Sequence, residues 1–355
     1  MRQIAFDARF IKPEHPDGIS RFSLGLISEL SQLTPLKVIV CDQKVADKLP
    51  AEVEVIWAGD PTSPLEIFTA LKLNSQGIDV LFSPMQTTSG FGRKFKLVLT
   101  LHDLIYYRHR TPPKEFNPLV RLAWWLYHLS YGPQRFVLNG SDAVVTVSET
   151  TKQQMLAKRL TKKPITVIYN AADKPAEVTE RNNSNSKTLV YMGSFIGYKN
   201  VEALIAGMAL LPNHTLVCLS RITDQRKTEL STLADRLGAN IQFENGVSES
   251  EYHNWLLQAQ ALVTASLDEG FGIPVIEAME RGTPTVISNL EIFEEIGHEA
   301  ALFFDPEQPE SFAKQIAKLG ESTVWKEVSQ KSIRRASQFS WKSSAAKLLE
   351  LLNRV

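Results

Sequence analysis

The chain is poor in cysteine, has no long apolar run and carries no net charge. Only two cysteines, Cys41 and Cys218, occur in 355 residues. The two residues are far apart in the sequence, and each lies in an apolar, strand-like segment. This excludes a disulfide framework and predicts two buried free thiols in a reducing compartment. No apolar run reaches about 18 residues, and the first ten residues lead into a strand without a signal-peptide core. We therefore expect a soluble, cytoplasmic protein.

The balance of 39 basic and 39 acidic residues argues against a nucleic-acid-binding protein. The charges are nevertheless distributed unevenly. Residues 1–170 hold 21 Lys and Arg against 15 Asp and Glu, and residues 171–355 hold the opposite excess of six acids. The basic first half is compatible with an anionic acceptor or a negatively charged membrane surface.

Short apolar runs alternate with helical stretches along the whole chain. In the first half the runs are 2–6, 36–41, 53–57, 79–83, 96–101, 142–148 and 165–170, and in the second half 188–194, 215–220, 241–246, 261–266, 284–289 and 301–305. This alternation predicts an α/β fold with two doubly wound parallel sheets. The length also favours two domains, and we place them at 1–170 and 171–339, with a polar linker or loop at 177–187.

Ligands of such sheets bind outside the carboxyl ends of the strands, so the residues that follow strands are the candidates. In the first half these include Asp7 and Arg9, a loop closed by Gly18 ahead of a helix from about Ser20, and His102. Ser148 also follows a strand, but we interpret it as a helix N-cap.

In the second half, Gly193 and Lys199 follow the strand 188–194. A lysine just before a helix is unfavourable unless it meets an anion, so Lys199 is a candidate phosphate ligand. Arg221 follows the next strand with less context, and the segment around Val247 offers backbone groups to a nucleobase.

The segment EGFGIPVIE, residues 269–277, is the most informative motif. It follows the strand 261–266, and Pro274 suits the start of a helix that Gly282 ends. Two glycines and a helix start attract anions and hydroxyl groups. Glu269 in the loop and Glu277, eight positions later and about one turn into the helix, can accept hydrogen bonds from a polar ligand. Each glutamate alone would be read as a solvated first-turn acid, but the combined pattern favours a sugar nucleotide site.

These motifs resemble those of retaining glycosyltransferases with the GT-B fold, in glycosyltransferase family 4, nearest to mannosyltransferases of polysaccharide assembly. The resemblance covers nearly the whole chain. It is carried by FDAR…GISRF, by His102-Asp103-Leu104, by Lys199-Asn200 and by the two glutamates of EGFGIPVIEAMERGTP. It implies two facing Rossmann-like sheets with an interdomain cleft, and a last helix, 340–355, that crosses back to the first domain.

The resemblance also implies roles. Glu269 and the amides of Gly270 to Gly272 would hold the donor sugar, Glu277 the ribose and Lys199 the diphosphate. His102 would lie beside the transferred sugar, and Gly18 would line the phosphate and acceptor side. Our catalytic candidates are His102, Glu269 and Lys199; our donor-binding candidates are Gly18, Gly193, Ser194, Lys199, Arg221, Val247, Glu269, Gly270, Phe271, Gly272, Ile273 and Glu277.

The chain departs from the family pattern in the phosphate region. Many relatives have Arg where Ser194 stands and a basic residue where Tyr198 stands, so the diphosphate would meet fewer cations here. Arg221 could compensate.

The sequence contains no Asp-x-Asp triplet, which is the metal-binding motif of the other large glycosyltransferase fold. We therefore expect catalysis without a bound metal or other cofactor. Retention would follow from front-face attack, with the diphosphate oxygen taking the acceptor's proton, or from a covalent intermediate on Glu269.

Several alternatives stay open. A nicotinamide-dependent dehydrogenase would share the two sheets, but no G-x-G-x-x-G follows the first strand. A non-catalytic nucleotide-sugar-binding protein would need no lysine.

Among hexosyltransferases, GDP-mannose is favoured over UDP-glucose. The acceptor would be a glycan or polyprenyl-linked glycan, which the basic first half and the aromatic helix 117–132 allow at the inner face of the plasma membrane. For most of those aromatics we favour packing on the sheet.

Overall fold

The computed structural model describes residues 2–14, 17–112, 117–173, 175 and 181–355. The chain forms two compact units, the first made of Met1–Ala171 with Phe339–Val355 and the second of Ala172–Gln338. The expected boundary after residue 170 lies one residue from this division.

The first unit is built on a seven-stranded parallel sheet. Its strands are β1 (Ile4–Asp7), β2 (Leu36–Val40), β3 (Glu54–Trp57), β4 (Val80–Ser83), β5 (Lys96–Thr100), β6 (Ala143–Thr146) and β7 (Ile165–Val167), in the order β3-β2-β1-β4-β5-β6-β7. Its helices are α1 (Gly18–Leu33), α2 (Gln43–Ala46), α3 (Thr69–Leu73), α4 (Ile105–Arg108), α5 (Pro118–Tyr127), α6 (Gly132–Asn139) and α7 (Glu149–Ala157), with a 3₁₀ segment at Pro64–Phe68. The strand order reverses between β1 and β4.

The second unit repeats the design with a six-stranded parallel sheet. Its strands are β8 (Thr188–Tyr191), β9 (Thr215–Cys218), β10 (Ile241–Phe243), β11 (Ala261–Thr264), β12 (Thr285–Ser288) and β13 (Leu302–Phe304), in the order β10-β9-β8-β11-β12-β13. Its helices are α8 (Val201–Met208), α9 (Asp224–Leu237), α10 (Glu249–Gln258), α11 (Ile273–Glu280), α12 (Glu291–Gly297), α13 (Pro309–Leu319) and α14 (Ser322–Ala336), with 3₁₀ segments at Gly197–Lys199 and His298–Ala300. Here the reversal falls between β8 and β11.

Each of the thirteen apolar runs overlaps a strand, so the predicted α/β fold is confirmed. Many strands end one to three residues before their runs do, as β9 ends at Cys218 and β10 at Phe243. The extra residues leave the sheet because they enter the loops at its carboxyl edge, where hydrogen bonds such as Gly246 N–H to the Leu219 carbonyl replace the strand ladder.

Two smaller expectations need correction. Cys218 is buried as predicted, but Cys41 is only half-buried. The linker 177–187 lies partly outside the described residues, and from Arg181 onward it is anchored to the second unit. The Arg181 guanidinium donates to the carbonyls of Leu257 and Arg281 and lies 5.6 Å from the Trp325 ring, and its burial lowers its pKa to about 10.

Asp7, the last residue of β1, and Arg9, two residues later, serve the fold. Arg9 is buried and donates to both carboxylate oxygens of Asp7 and to Glu66, with a shortest distance of 2.6 Å. Burial alone would lower the pKa of Arg9, but the two carboxylates raise it above its usual value. A buried guanidinium that is paired on both sides holds the loop after β1 in place.

The C-terminal helix α15 (Trp341–Arg354) packs along α1 in the first unit. Its buried face includes Ala345, Leu348 and Leu352, as its apolar spacing predicts. The helices approach so closely that a Cβ atom built on Gly25 would lie 2.4 Å from the Trp341 ring. Glycine at position 25 therefore makes this contact possible.

We expect Gly25→Ala to lower the free energy of unfolding by about 1–3 kcal/mol, because the new methyl group overlaps the indole ring. In a Trp341→Ala background the same change should instead stabilise by up to about 1 kcal/mol, since alanine favours the helix. Urea unfolding of the four proteins measures this coupling, with the exposed Ser28→Ala on α1 as control. An equal cost of Gly25→Ala in both backgrounds would contradict the packing described.

Candidate active site

The carboxyl ends of β8 and β11 bring the main sequence motifs together. These strands are neighbours in the sheet, with Leu189 opposite Ala261 and Val190 opposite Leu262. The strand order reverses between them, and ligands of open α/β sheets bind at this position. The loop after β8 carries Lys199 and the loop after β11 carries Glu269, so residues 70 positions apart share one edge.

Lys199 and Glu269 form an ion pair. The Lys199 Nζ lies 2.8 Å from Oε1 and 2.6 Å from Oε2 of Glu269. Both side chains are largely buried, at 14% and 15% exposure, so water screens the pair less than it would a surface pair. The ammonium also lies 5.4 Å from the Tyr198 ring. The sequence predicted a site for each residue but did not show that they pair directly.

Backbone contacts fix the two loops to one another. The amide of Leu267 donates to the Tyr198 carbonyl at 2.7 Å, which links the loop after β11 to the one after β8. Asn200, in the left-handed conformation (φ 51°), then turns the chain from the 3₁₀ segment into α8. Asparagine tolerates this conformation better than most residues, which explains why it follows Lys199.

The start of α11 is shaped by Gly272. Its φ of 97° is left-handed, and a Cβ atom there would lie 2.8 Å from the Phe293 ring, so only glycine fits. No side chain caps α11 at this end, and Pro274 lies in its first turn. The first-turn amides and the helix dipole therefore favour negative charge or hydroxyl oxygens beside Gly270 to Ile273. Phe271 is buried and anchors the loop.

Glu277 lies further along α11 and is only 5% exposed. Tyr252, from α10, donates its hydroxyl to Oε2 of Glu277 at 3.0 Å. Arg281 donates to the Glu277 carbonyl and faces His253, whose Nε2 accepts at 2.8 Å. Sequence reasoning missed Tyr252 because its place in the helix does not distinguish it from a core aromatic residue.

Gly193 and Ser194 are held by side chains that the sequence did not single out. The Gly193 amide donates to Ser220 Oγ at 3.0 Å, so the loop after β8 is tied to the end of β9. The buried Tyr191 donates its hydroxyl to the Ser194 carbonyl at 2.6 Å. Ser194 itself is exposed.

Arg221 and Val247 lie at the ends of β9 and β10. A Cβ atom on Gly246 would lie 2.8 Å from Arg221 Cγ, so the arginine side chain packs against the loop that carries Val247. Asn245 accepts from the Ile222 amide at 3.0 Å and joins the two loops. Arg221 thus lies one strand away from Lys199, at the same edge of the sheet.

His102, in the first unit, follows β5. Its Nε2 lies 2.8 Å from the Pro84 carbonyl, which can only accept, so Nε2 carries the proton and Nδ1 keeps a lone pair. Its ring meets Phe22 edge to face at 5.2 Å. Burial lowers the pKa of His102, and the Pro84 carbonyl and Asp17 oppose this shift only in part. The imidazole is therefore a neutral hydrogen-bond acceptor at physiological pH.

Gly18 begins α1, two residues before the predicted start at Ser20. Asp17 caps this helix by accepting from the Ser20 amide at 2.9 Å and pairs with Lys12. A carboxylate therefore already occupies the helix start, which suits hydroxyl groups better than a second anion. The predicted N-cap role of Ser148 is confirmed, since its Oγ accepts from the Thr151 amide.

Over the part of the chain that the structure describes, no group of three or more His, Cys, Asp or Glu side chains is arranged to hold a metal ion. Over the same part, no helix is long and apolar enough to cross a bilayer.

Two family models match consecutive parts of the chain. The model described as Glycosyltransferase Family 4 matches residues 16–174, and the one described as Glycosyl transferases group 1 matches residues 174–339.

Individual proteins resemble the chain over most or much of its length. The O-antigen chain mannosyltransferase RfbU of Salmonella typhimurium is 25% identical over 309 residues, 84% of this chain and 86% of that protein. The GDP-mannose:cellobiosyl-diphosphopolyprenol alpha-mannosyltransferase of Xanthomonas campestris is 26% identical over 222 residues, 57% of this chain and 58% of that one.

A solved structure, Anabaena HepE in complex with UDP-glucose, superposes with a TM-score of 0.74 at 17% identity and covers all of both chains. This likeness shows the fold. With two parallel α/β units and two matched models that together cover residues 16–339, the chain belongs to the GT-B glycosyltransferases of the family 4 type.

Proposed function

We propose that the protein is a retaining, metal-independent hexosyltransferase that moves mannose from GDP-mannose to a glycan or polyprenyl-linked glycan. The printed names of two relatives support this proposal, since one is an O-antigen chain mannosyltransferase and the other uses GDP-mannose and a diphosphopolyprenol acceptor. The observation that carries it is the Lys199–Glu269 pair beside the start of α11.

In the proposed complex the donor diphosphate and Glu269 share Lys199. The ammonium has three protons to donate, so it can keep one contact with Glu269 while it binds a phosphate oxygen. Glu269, positioned by this contact, accepts hydrogen bonds from the hydroxyls of the donor sugar. The first-turn amides of α11 add donors that need no reorganisation.

The reaction breaks the bond between the anomeric carbon and the diphosphate oxygen and forms a bond from that carbon to the acceptor oxygen. Negative charge grows on the leaving diphosphate, and Lys199 stabilises it more strongly in the transition state than in the ground state. The acceptor's proton passes to the leaving oxygen, so retention by attack on the same face requires no protein base.

Glu277 and His102 have supporting roles in this proposal. The hydrogen bond from Tyr252 fixes the Glu277 carboxylate, which accepts from the ribose hydroxyls. His102 offers the lone pair of Nδ1 to a hydroxyl of the transferred sugar, and its low pKa keeps this acceptor unprotonated.

We expect the purified protein to release GDP from GDP-mannose in the presence of an acceptor glycan, at the same rate with and without excess EDTA. The reason is that the Lys199 ammonium and backbone amides, rather than a metal ion, stabilise the leaving group. Coupled detection of nucleoside diphosphate measures the rate for GDP-mannose and UDP-glucose in parallel. Faster turnover of UDP-glucose would overturn the donor assignment, and loss in EDTA that Mg²⁺ restores would overturn metal independence.

Glu269→Gln and Glu277→Gln should fail in different ways. Glu269→Gln should abolish most turnover but leave GDP binding intact or tighter, because Lys199 loses its internal counter-ion. Glu277→Gln should weaken GDP binding, and Tyr252→Phe should do so by a smaller factor in the same direction. Calorimetric titration with GDP measures all three; equal binding losses in the two glutamate variants would contradict these roles.

Lys199→Ala should lower turnover by a few hundredfold, on the order of 3 kcal/mol, as removal of a preorganised electrostatic donor does elsewhere. It also leaves Glu269 without its cation, so the Michaelis constant for the donor should rise. Lys199→Arg should keep an intermediate rate, since the charge remains but its reach differs. Lys227→Ala, at an exposed lysine of α9, is the control. Retention of more than about half of the turnover by Lys199→Ala would move the diphosphate site toward Arg221.

A further inference from the structure

Helices α5 and α10, each ten residues long, differ in what they bury. None of the residues of α5 is buried, so packing of this helix on the sheet, which the sequence favoured, is wrong. Helix α10 instead buries Tyr252 and Leu256 and lies against β8. His253, the residue after Tyr252, is half-buried and contacts the end of α11. Two adjacent side chains of α10 therefore face α11.

These two side chains hold α11 at points one turn apart. Tyr252 donates its hydroxyl to Oε2 of Glu277 at 3.0 Å. His253 Nε2 lies 2.8 Å from Nη2 of Arg281, and Nη1 of the same guanidinium donates to the Glu277 carbonyl at 3.1 Å. Helix α10 thus contacts the Glu277 carboxylate directly and the Glu277 backbone through Arg281.

The contact with Arg281 requires a neutral His253. A guanidinium group has only donors, so Nε2 must accept with its lone pair, and the proton of the neutral ring lies on Nδ1. Arg281 is only 5% exposed, so little water is available to replace this contact. Protonation of Nε2 would place an N–H group and a second positive charge against the guanidinium.

A second partner for His253 lies on its own helix. Oε1 of Glu249, one turn earlier, is 3.9 Å from the same Nε2, and its side chain is 64% exposed. A protonated His253 can therefore turn from Arg281 to Glu249. Burial lowers the pKa of Arg281, but nearby acids oppose this shift and keep negative charge beside the guanidinium when His253 leaves it. They are Asp173, Glu249 and Glu280.

We propose that His253 and Arg281 are positioning residues for Glu277, and that protonation of His253 releases α11 from α10 and weakens donor binding. The effect on the donor rests on the proposed contact between Glu277 and the ribose. Neutral His253 holds Arg281 and so keeps α11 in place for the hydrogen bond from Tyr252. Protonated His253 pairs with Glu249, and the Glu277 carboxylate loses this support.

Calorimetric titration with GDP-mannose, and with UDP-glucose in parallel, from about pH 8 to about pH 5.5 tests the proposal. Both sugar nucleotides carry a ribose, and neither has the terminal phosphate that gives GDP a proton titrating in this range. The Kd of the donor that binds should rise about fivefold towards acid pH, the equivalent of one hydrogen bond. His253→Gln should keep the low Kd throughout, because a side-chain carbonyl accepts from Arg281 and does not titrate.

Further variants separate positioning from a general structural effect. His253→Ala and Arg281→Met should each raise the Kd by about fivefold at every pH and remove the pH dependence. Glu249→Gln should move the loss of affinity to lower pH, since the protonated ring then has no anionic partner on α10. His298→Asn, at an exposed histidine of the same unit, is the control and should keep the wild-type pH profile.

Nuclear magnetic resonance of the imidazole nitrogens gives a readout that does not depend on the donor. At about pH 8 the proton of His253 should lie on Nδ1 in the wild-type protein. A proton on Nε2, a donor Kd that does not change with pH, or a change that His253→Gln leaves in place would each overturn the proposal. Failure of both sugar nucleotides to bind at any pH would overturn the proposed function and with it the effect on the donor, whereas the position of the proton would still decide the contact between His253 and Arg281.

Discussion

The parallel pairing of β8 with β11 is the constraint on which the candidate site depends. Because these strands are neighbours and run in the same direction, the loops that follow them must meet at one edge of the sheet. The Leu267 amide and the Tyr198 carbonyl then fix the distance between the loops. Only within this frame can Lys199 and Glu269 reach each other, so the register of a buried sheet decides the electrostatics of the loops above it.

The ion pair also explains how a site for an anion can exist on the acidic half of the chain. Any nearby carboxylate would stabilise the charged form of a lysine. A glutamate without a cationic partner, by contrast, would repel a diphosphate. Paired at 2.6 Å, they present little net charge but keep donors and acceptors in fixed directions. For the proposed donor, which has phosphates on one side and hydroxyls on the other, selectivity would follow from this alternation of groups rather than from excess charge.

The repeated alternation of apolar runs and helices was sufficient to predict two parallel sheets. Short β-branched runs of five or six residues that alternate with helices are compatible with few other folds. The segment EGFGIPVIE was recognisable from the sequence because its glycines indicate a loop, its proline indicates a helix start, and the strand before it places both at the edge of the sheet. The contacts of Tyr252 and Tyr191 could not be predicted, because a tyrosine in an apolar stretch has the same pattern whether or not its hydroxyl meets a carboxylate. The surface position of α5 was missed for a related reason. Its two apolar sides give the pattern of a buried helix, and only the tertiary structure shows that one side is exposed, with Trp125 at 41% and Leu126 at 52%.

The position of α15 in the first unit has a consequence for synthesis. Arg2 donates to the Leu352 carbonyl at 3.1 Å, and α15 covers α1, so the first unit draws its last helix from beyond the entire second unit. Synthesis of the second unit on a ribosome takes roughly 10 to 30 s. During that time the face of α1 that contacts Trp341 stays uncovered. The second unit, which is continuous in sequence, can complete its core first. The first unit can therefore be complete only after the whole second unit has been synthesised.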